Sequence, residues 1–273
     1  MRKLIFMAML AESLSGAARQ HFCVNPYTGA EAVPNEAPAL DVFVPADPAG
    51  PAVVICPGGG YTWRAYDNEG TNWVDFFNDR GITVAVLGYT LPEGRHELPA
   101  RDVYQSLRYL RDNATRLGID PEQIGAMGSS AGGHLVSTVA THYRTPEERP
   151  AFQILFYPLI SMDPAITHHG SREHLIGNDA PYDLALLYSN EHQVKADNPP
   201  AYVVLTEDDT LVPVENSLRY FQALTDKKVP SELHIFPTGG HGFGSHTDFK
   251  YRKELLSTMG AWLDHTLKYN ADK

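Results

Sequence analysis

The sequence predicts an α/β fold in which a mainly parallel sheet is covered by helices on both faces. Short apolar runs recur along the chain, as expected for buried strands. Segments with helical spacing separate these runs, and strands that alternate with helices favour parallel pairing. Glycine-rich turns follow several of the runs. The predicted strands are 40–45, 53–56, 82–87, 123–127, 152–157, 202–205 and 232–236.

Helices are predicted between these strands. Val103, Leu107 and Leu110 fall at positions i, i+4 and i+7 and form one apolar stripe. No internal repeat, low-complexity tract or long linker divides the chain, so we expect a single domain over residues 21–273. The other predicted helices are 73–81, 133–140, 214–225 and 256–267.

Length and charge limit the class of protein. A chain of 273 residues is long enough for one domain with a large core. The formal net charge of −11 argues against nucleic acid and acidic membrane surfaces as partners. No run approaches the ~18 apolar residues of a membrane span. The cysteines, Cys23 and Cys56, and the histidines show no metal-ligand spacing, so we expect neither a metal nor another cofactor.

Residues 1–20 form an N-terminal segment with two interpretations. Arg2 and Lys3 precede the apolar stretch 4–11, and small residues follow at 15–17, a pattern typical of a signal peptide. The alternative is a helix that docks on the domain. We favour the signal peptide, which predicts a secreted or periplasmic protein, while a cytoplasmic protein stays open.

A serine at a glycine-rich turn has the context of a nucleophile. The residues at 128–132 (GSSAG) read G-x-S-x-G and lie between a predicted strand and a predicted helix. A serine on such a sharp turn is exposed above the sheet, at the positive end of the helix dipole. Small neighbours let the backbone turn tightly. We therefore predict that Ser130 is a nucleophile; a purely structural turn is the alternative.

Partners for this serine follow in the order acid, then histidine. Asp208 and Asp209 come directly after a predicted strand, and His241 follows the last strand within the glycine-rich segment 239–244. Since catalytic groups of open α/β sheets gather at the carboxyl ends of strands, these side chains can meet Ser130. We favour Asp209 over Asp208 because it stands at the D-x-x-V-P position. A helix-capping aspartate and a loop histidine are the alternatives.

An oxyanion hole is predicted after the strand 53–56. The residues at 57–61 (PGGGY) follow this strand, and glycines let backbone N–H groups point into a site without a side chain in the way. We expect one donor from Gly59 or Gly60 and the other from Ala131, the residue after the nucleophile. A flexible loop and a phosphate cradle are the alternatives, but the Lys-Ser/Thr pair of a P-loop is absent.

Several segments between about residues 40 and 245 match the motifs of a known family. They are 56–61 (CPGGGY), 118–121 (GIDP), 127–134 (MGSSAGGH), 157–162 (YPLISM), 169–172 (HGSR), 208–217 (DDTLVPVENS) and 239–243 (GGHGF). With these segments the chain resembles the compact bacterial α/β-hydrolases related to acetyl xylan esterases and feruloyl esterases. The resemblance implies the α/β-hydrolase fold without a large lid domain. It also implies an esterase that removes acetyl or other small acyl groups from carbohydrate esters such as acetylated xylan, with Ser130, Asp209 and His241 as the catalytic triad.

The rim of the predicted site includes the segment 160–179, which follows the carboxyl end of a strand. We expect His169 and Arg172 in this rim to bind substrate, because loops at such positions often carry function. A solvated loop with an ordinary helix start is the alternative. Tyr61 and Ser129 are the other candidate substrate-binding residues. Ser129 replaces a bulky apolar residue that the resembled family often has there.

The expected chemistry is two-step acyl transfer through an acyl-enzyme, on a small-molecule or oligosaccharide ester. His134, one turn after Ser130, is interpreted as structural because His241 already fills the role of the base. A general short-chain carboxylesterase, a serine peptidase of the prolyl-oligopeptidase kind and a non-catalytic binding protein are the alternatives. The peptidase shares the Asp-x-x-Val-Pro and Gly-His-Gly segments. It normally has a further large domain, for which we expect no room here.

Overall fold

One mainly parallel sheet runs through the protein, which confirms the predicted fold class. A computed structural model describes residues 18–271. The strands are β1 (Gln20–Val24), β2 (Ala39–Val44), β3 (Gly50–Cys56), β4 (Thr83–Gly88), β5 (Ile119–Ser129), β6 (Gln153–Phe156), β7 (Ala201–Thr206) and β8 (Ser231–Phe236). Their order in the sheet is β1-β2-β4-β3-β5-β6-β7-β8. Strand β2 pairs antiparallel with β1 and β4, and all the other pairs are parallel.

Helices cover both faces of this sheet. In the described residues the helices are α1 (Val74–Asn78), α2 (Leu98–Asp112), α3 (Ala114–Leu117), α4 (Ala131–His142), α5 (His169–Ile176), α6 (Tyr182–Leu187), α7 (Glu215–Asp226) and α8 (Arg252–Ala271). Neighbouring side chains of one strand enter different cores, since successive residues of a strand point to opposite faces. Val54 packs in the core that also contains residues of α2, α4 and α7, whereas Val53 packs with residues of α1 and α8. Strands buried on both faces explain the continuous apolar runs.

Several elements of the fold were not predicted, among them the short helices α3 and α6 and the strand β1. Strand β1 is half-exposed at the edge of the sheet, and its apolar run is only three residues long (22–24), too short to mark a strand. The segment 160–179, predicted as a rim or as a solvated loop with a helix start, contains the full helix α5. Its apolar residues are few because most of the helix faces solvent or polar groups, so the helical period is weak in the sequence.

The parallel strands bring the candidate functional segments to one edge of the sheet. Strands β3, β5, β7 and β8 run in the same direction, so their carboxyl ends lie side by side. The loops that leave these ends contain the glycine-rich loop, the candidate nucleophile, the aspartates and the candidate base. The topology therefore assembles residues that are far apart in the chain.

Most of the N-terminal segment lies outside the described residues, and so does the predicted signal peptide up to residue 17. From there on, Arg19 pairs with Asp75 and Asp79, and β1 begins at Gln20. Within residues 18–271, no helix combines the length and the apolar character that a membrane crossing requires. Cys23 and Cys56 are both free thiols.

His134 is part of the core, in agreement with its interpretation from the sequence as a structural residue. Its ring is fully buried in α4 and hydrogen-bonded at both nitrogens. Nε2 lies 2.8 Å from the carbonyl oxygen of Tyr188 and must donate to it, so Nδ1 accepts the hydrogen bond from the Tyr61 hydroxyl at 2.8 Å. Burial lowers the pKa of His134 to about 4 because the charged ring cannot be solvated there.

This histidine should make the stability of the protein fall in acid. The unfolded chain takes up a proton near pH ~6.5, whereas the folded ring resists protonation down to about pH 4. The stabilisation by neutral His134 is therefore complete above pH ~6.5 and is lost as the pH falls. The free energy of unfolding of wild type relative to His134→Gln should drop by ~2–3 kcal/mol between pH 7.5 and 4.5, measured by urea titration. The control is His265→Gln at an exposed position, whose free energy of unfolding should change with pH as that of wild type does. If the difference in free energy of unfolding between wild type and His134→Gln did not change with pH, the assignment of a neutral buried His134 would be refuted.

Candidate active site

The candidate nucleophile sits on a turn that only small residues permit. Ser130 joins β5 to α4 with φ 54° and ψ −120°, a strained conformation for a residue with a side chain. A Cβ on Gly128 would lie 2.1 Å from the carbonyl oxygen of Gly132, and one on Gly132 would lie 2.0 Å from that of Cys56. A side chain at either glycine of the G-x-S-x-G pattern would therefore collide with a backbone carbonyl oxygen. The Ser130 N–H donates to the carbonyl of Phe156 at 3.0 Å, which fixes the turn on the neighbouring strand.

Ser130, His241 and Asp209 form a continuous line of hydrogen bonds. The Oγ of Ser130 lies 2.8 Å from Nε2 of His241, and Nδ1 of His241 lies 2.7 Å from Oδ2 of the buried Asp209. A carboxylate only accepts, so Nδ1 carries the proton and Nε2 offers its lone pair to the serine hydroxyl. Asp209 is itself held because its Oδ1 accepts the N–H groups of Leu211 and Val212, both at 2.9 Å. The arrangement can take a proton from the serine as a carbonyl is attacked.

The neighbouring aspartate holds the loop that carries the histidine. Asp208 is exposed and accepts the N–H groups of Gly240 at 2.8 Å and Gly239 at 3.1 Å, directly before His241. The Gly240 N–H is the largest cause of the lowered pKa of Asp208. The two adjacent carboxylates thus have separate contacts, one with the imidazole and one with the backbone that precedes it.

Asn68 forms hydrogen bonds with the same loop on the C-terminal side of His241. Its Nδ2 donates to the carbonyl of Gly242 at 3.1 Å, and its Oδ1 accepts from the N–H of Ser245 at 3.2 Å and from the Ser245 hydroxyl at 3.1 Å. The histidine loop is therefore tied to the segment that follows the oxyanion loop. Its glycines leave the backbone free to turn, and these polar contacts restrict it.

The glycine-rich loop after β3 leaves backbone donors free. Gly59 and Gly60 have φ values of 127° and 64°, which favour glycine. Among the described residues, no acceptor contacts the N–H of either glycine. The N–H of Ala131 lies in the first turn of α4, where backbone donors have no partner inside the helix. Gly60 and Ser130 border the same cavity. These are the N–H groups predicted to bind an oxyanion.

A buried carboxylate connects the oxyanion loop to the candidate base. Glu69 is only 4% exposed; its Oε2 accepts the Gly58 N–H and its Oε1 accepts the Tyr157 hydroxyl, both at 2.7 Å. The Tyr157 ring packs against the His241 ring with centroids 4.7 Å apart. Burial raises the pKa of Glu69, and the two donors act against that shift. This contact was not predicted from the sequence, in which Tyr157 is marked only as the last residue of a predicted strand.

The candidate site opens into a cavity of about 790 Å³. Ser130, His241, Gly59 and Gly60 lie in its wall, together with the 60% exposed Trp63 and residues of the segment 160–179. The other wall residues are Asn35, Thr62, Arg64, Ala65, Tyr66, Asp67, Asn68, Glu69, His168, Gly170, His174, Leu211, Gly242 and His246. Most of the surface that the wall exposes is apolar, and the polar groups of these side chains are placed within it, so the cavity suits a molecule that has both C–H and polar groups.

The structure does not place the predicted substrate-binding side chains in this wall. Tyr61 is buried, with its hydroxyl on His134, and Ser129 is buried on the strand side of the turn. His169 is exposed, and Arg172 is buried, with a guanidinium nitrogen 3.5 Å from the carbonyl of Asn178. The segment 160–179 borders the cavity, but through residues other than His169 and Arg172.

The neighbours of these residues take their place in the wall. His168, Gly170 and His174 border the cavity from the same segment.

Within residues 18–271, no group of three or more His, Cys, Asp and Glu side chains is arranged to hold a metal ion.

The order Ser130, Asp209, His241 on a mainly parallel sheet is the arrangement of the α/β-hydrolases. The chain belongs to this family, since the sequence profile of the alpha/beta hydrolase fold matches residues 53–245. It is 38% identical to an acetylxylan esterase of Xylanibacter ruminicola over 96% of this chain and 55% of that protein. It is 34% identical to the endo-1,4-beta-xylanase B of Butyrivibrio fibrisolvens over 70% of this chain and 32% of that protein.

A solved structure gives the same result for the whole fold. The acetyl ester-xyloside bifunctional hydrolase from Caldicellulosiruptor lactoaceticus superposes with a TM-score of 0.81 at 33% identity, over 92% of this chain and 98% of that one. The resemblance drawn from the motifs is thereby confirmed. The chain spans about half the length of the Xylanibacter relative and about a third of the Butyrivibrio relative.

The two aspartates should differ in their effect on activity. Asp209→Asn should lower kcat by ~10³–10⁴-fold, because an amide can stabilise the wrong tautomer of His241 and carries no charge to balance the imidazolium. Asp208→Asn keeps one acceptor oxygen for the loop and should lower kcat less than ~10-fold. Steady-state kinetics on 4-nitrophenyl acetate measures both. If Asp208→Asn were the more damaging change, the assignment of the acid would be wrong.

Glu69 should act through the position of the oxyanion loop. In Glu69→Gln, the side-chain oxygen still accepts the Gly58 N–H, and the amide can donate to Tyr157. In Glu69→Leu both donors lose their acceptor. We expect Glu69→Leu to lower kcat by ~10–100-fold with little change in KM, since one misplaced oxyanion donor can cost up to ~10²–10³, and Glu69→Gln to retain most of the activity. Equal losses in two variants of equal melting temperature would contradict this role.

Proposed function

We propose that the protein is a serine esterase that removes acetyl or other small acyl groups from carbohydrate esters such as acetylated xylan. The observation that carries the proposal is the hydrogen-bond line Asp209–His241–Ser130, which ends in the wall of the cavity. The nucleophile, the base and the acid are then Ser130, His241 and Asp209. The oxyanion donors are Ala131 and one of the two glycines Gly59 and Gly60.

The first half of the reaction forms an acyl-enzyme. The Ser130 oxygen attacks the ester carbonyl while Nε2 of His241 takes its proton. The negative charge that develops on the carbonyl oxygen is stabilised by the free backbone N–H groups. The tetrahedral intermediate then breaks its bond to the alcohol oxygen, and that oxygen leaves with the proton from His241. Asp209 keeps the proton on Nδ1 throughout and stabilises the imidazolium.

The second half returns the enzyme to its starting state. Water takes the place of the alcohol and attacks the acyl carbonyl as His241 removes one of its protons. The bond to Ser130 breaks, and the serine oxygen recovers its proton from His241. One ester and one water thus give one alcohol and one carboxylic acid, with no other reactant.

The walls of the cavity support a sugar alcohol. A sugar ring has hydroxyl groups at its edges and C–H groups on its faces. The cavity offers polar side chains such as Asp67, His168 and His174, and beside them the exposed Trp63 and Leu211. Binding sites of this kind orient a ligand by a few placed polar groups on a partly apolar surface. The names of the relatives, acetylxylan esterase and acetyl ester-xyloside hydrolase, agree with this chemistry.

Replacing the nucleophile is the direct test of the mechanism. Ser130→Ala removes one oxygen at the turn and should lower kcat by ~10⁵-fold or more, because the remaining groups can supply only a residual ~10³–10⁴-fold over water. Ser129→Ala is the matched control and should stay within a few-fold of wild type. Labelling with a serine-directed fluorophosphonate should be lost in Ser130→Ala alone. Activity within ~10-fold of wild type would refute the assignment.

The substrate class is tested by acetate release. Acetylated xylan and xylose tetraacetate should be hydrolysed, and acetyl esters should be preferred over octanoyl esters with the same leaving group. A general short-chain carboxylesterase would instead prefer simple nitrophenyl esters and release no acetate from the polysaccharide. A serine peptidase would hydrolyse amides but not esters. Initial rates on these substrates, together with methyl ferulate, decide between the three.

A further inference from the structure

His168 has a fixed proton position and a free donor at the cavity. The residue lies directly before α5 and caps this helix, because its Nδ1 accepts the Ser171 N–H at 3.2 Å. The Ser171 hydroxyl is also 2.8 Å from the same nitrogen. A nitrogen that accepts a backbone N–H holds a lone pair, so the proton of the neutral ring is on Nε2.

The Nε2–H of this ring has no acceptor within residues 18–271. The ring lies in the cavity wall with Ser130 and His241, and a Cβ placed on Gly60 would lie 3.8 Å from its Cε1. The donor therefore lies in the cavity wall beside the oxyanion loop. Burial lowers the pKa of His168, and the nearby His241 lowers it further, so both favour the neutral ring.

His174 offers the complementary group from the same helix. Its Nδ1 lies 2.6 Å from the carbonyl oxygen of Gly170 and donates to it, so in the neutral ring Nε2 is an acceptor. Both rings border the cavity. The segment thus presents one imidazole donor and one imidazole acceptor. A hydroxyl group is both a donor and an acceptor, whereas the methyl group of an acetyl ester is neither.

We propose that His168 is a specificity-determining residue whose Nε2–H donates a hydrogen bond to a sugar oxygen next to the scissile acetyl ester. The inference rests on the proposed function and adds the group that distinguishes a sugar alcohol from a simple one. Since a site built to bind a polar group rejects analogues that lack it, the cavity selects acetyl esters of polyols over acetyl esters of simple alcohols or phenols.

One substitution separates the donor from the helix cap. In His168→Asn, the side-chain oxygen can still accept the Ser171 N–H, and asparagine is a favoured residue at this helix position. The variant has no atom at the position of Nε2, so the donor is lost together with the outer part of the ring, while the helix cap is kept. His169→Asn is the matched control, because His169 is the adjacent residue, is exposed and lies outside the cavity wall.

The measured quantity is the selectivity, defined as kcat/KM for a singly acetylated methyl xyloside divided by kcat/KM for 4-nitrophenyl acetate. His168→Asn should lower this ratio by ~10-fold, as expected for one lost hydrogen bond, whereas His169→Asn should leave it unchanged. The rate of fluorophosphonate labelling and the melting temperature verify that the nucleophile and the fold are intact in each variant.

Two results would overturn the inference while leaving the proposed function in place. In one, His168→Asn lowers kcat/KM equally for both esters, which means that the ring serves the oxyanion or the loop. In the other, neither value changes. A wild-type enzyme that releases no acetate from the xyloside would overturn the proposed function, and with it the inference; this outcome is read from the wild type alone and is therefore distinct.

Discussion

The site depends on a steric constraint, the close approach of three backbone segments around Ser130. A Cβ on Gly132 would meet the carbonyl of Cys56 at the end of β3, and a Cβ on Gly58 would lie 2.9 Å from Cβ of Ser130. The first turn of α4 can therefore lie directly against β3 and its loop. This contact brings the free N–H groups of the glycine loop beside the nucleophile, and it keeps Ser130 in a conformation that an ordinary turn would relax.

Once the turn is fixed, polar contacts between distant loops position the remaining groups. Glu69 links the Gly58 N–H to Tyr157, and the Tyr157 ring packs on His241. Asp208 and Asn68 hold the backbone on either side of that histidine. Preorganisation of this kind matters because donors and bases that are already oriented need not reorganise during the reaction. The glycine loops are thus flexible by sequence but constrained by their partners.

The fold and the three central residues could be predicted because their signals are local. A buried strand, a glycine turn and a helix follow one another in a few residues, and the parallel topology then brings Ser130, Asp209 and His241 to one edge. Glu69 could not be found in this way, since Tyr157 is 88 residues away. His168 and His169 could not be separated either, because neighbouring helical positions differ by about 100° in direction, and the sequence does not specify where α5 begins. Strand β1 was not predicted because it is half-exposed.

The acyl group and the alcohol of the ester differ in how strongly the cavity can recognise them. An acetyl group offers one methyl, and each buried CH₂ or CH₃ contributes only ~0.8 kcal/mol, so acyl size alone gives modest discrimination. The alcohol side carries several hydroxyls, and each hydrogen bond to one of them contributes ~0.5–1.5 kcal/mol. His168 can provide such a bond from a donor that the cap of α5 fixes before any substrate arrives. Recognition in this cavity should therefore come mainly from the sugar, while the triad and the oxyanion loop act on an acyl group that they contact at few atoms.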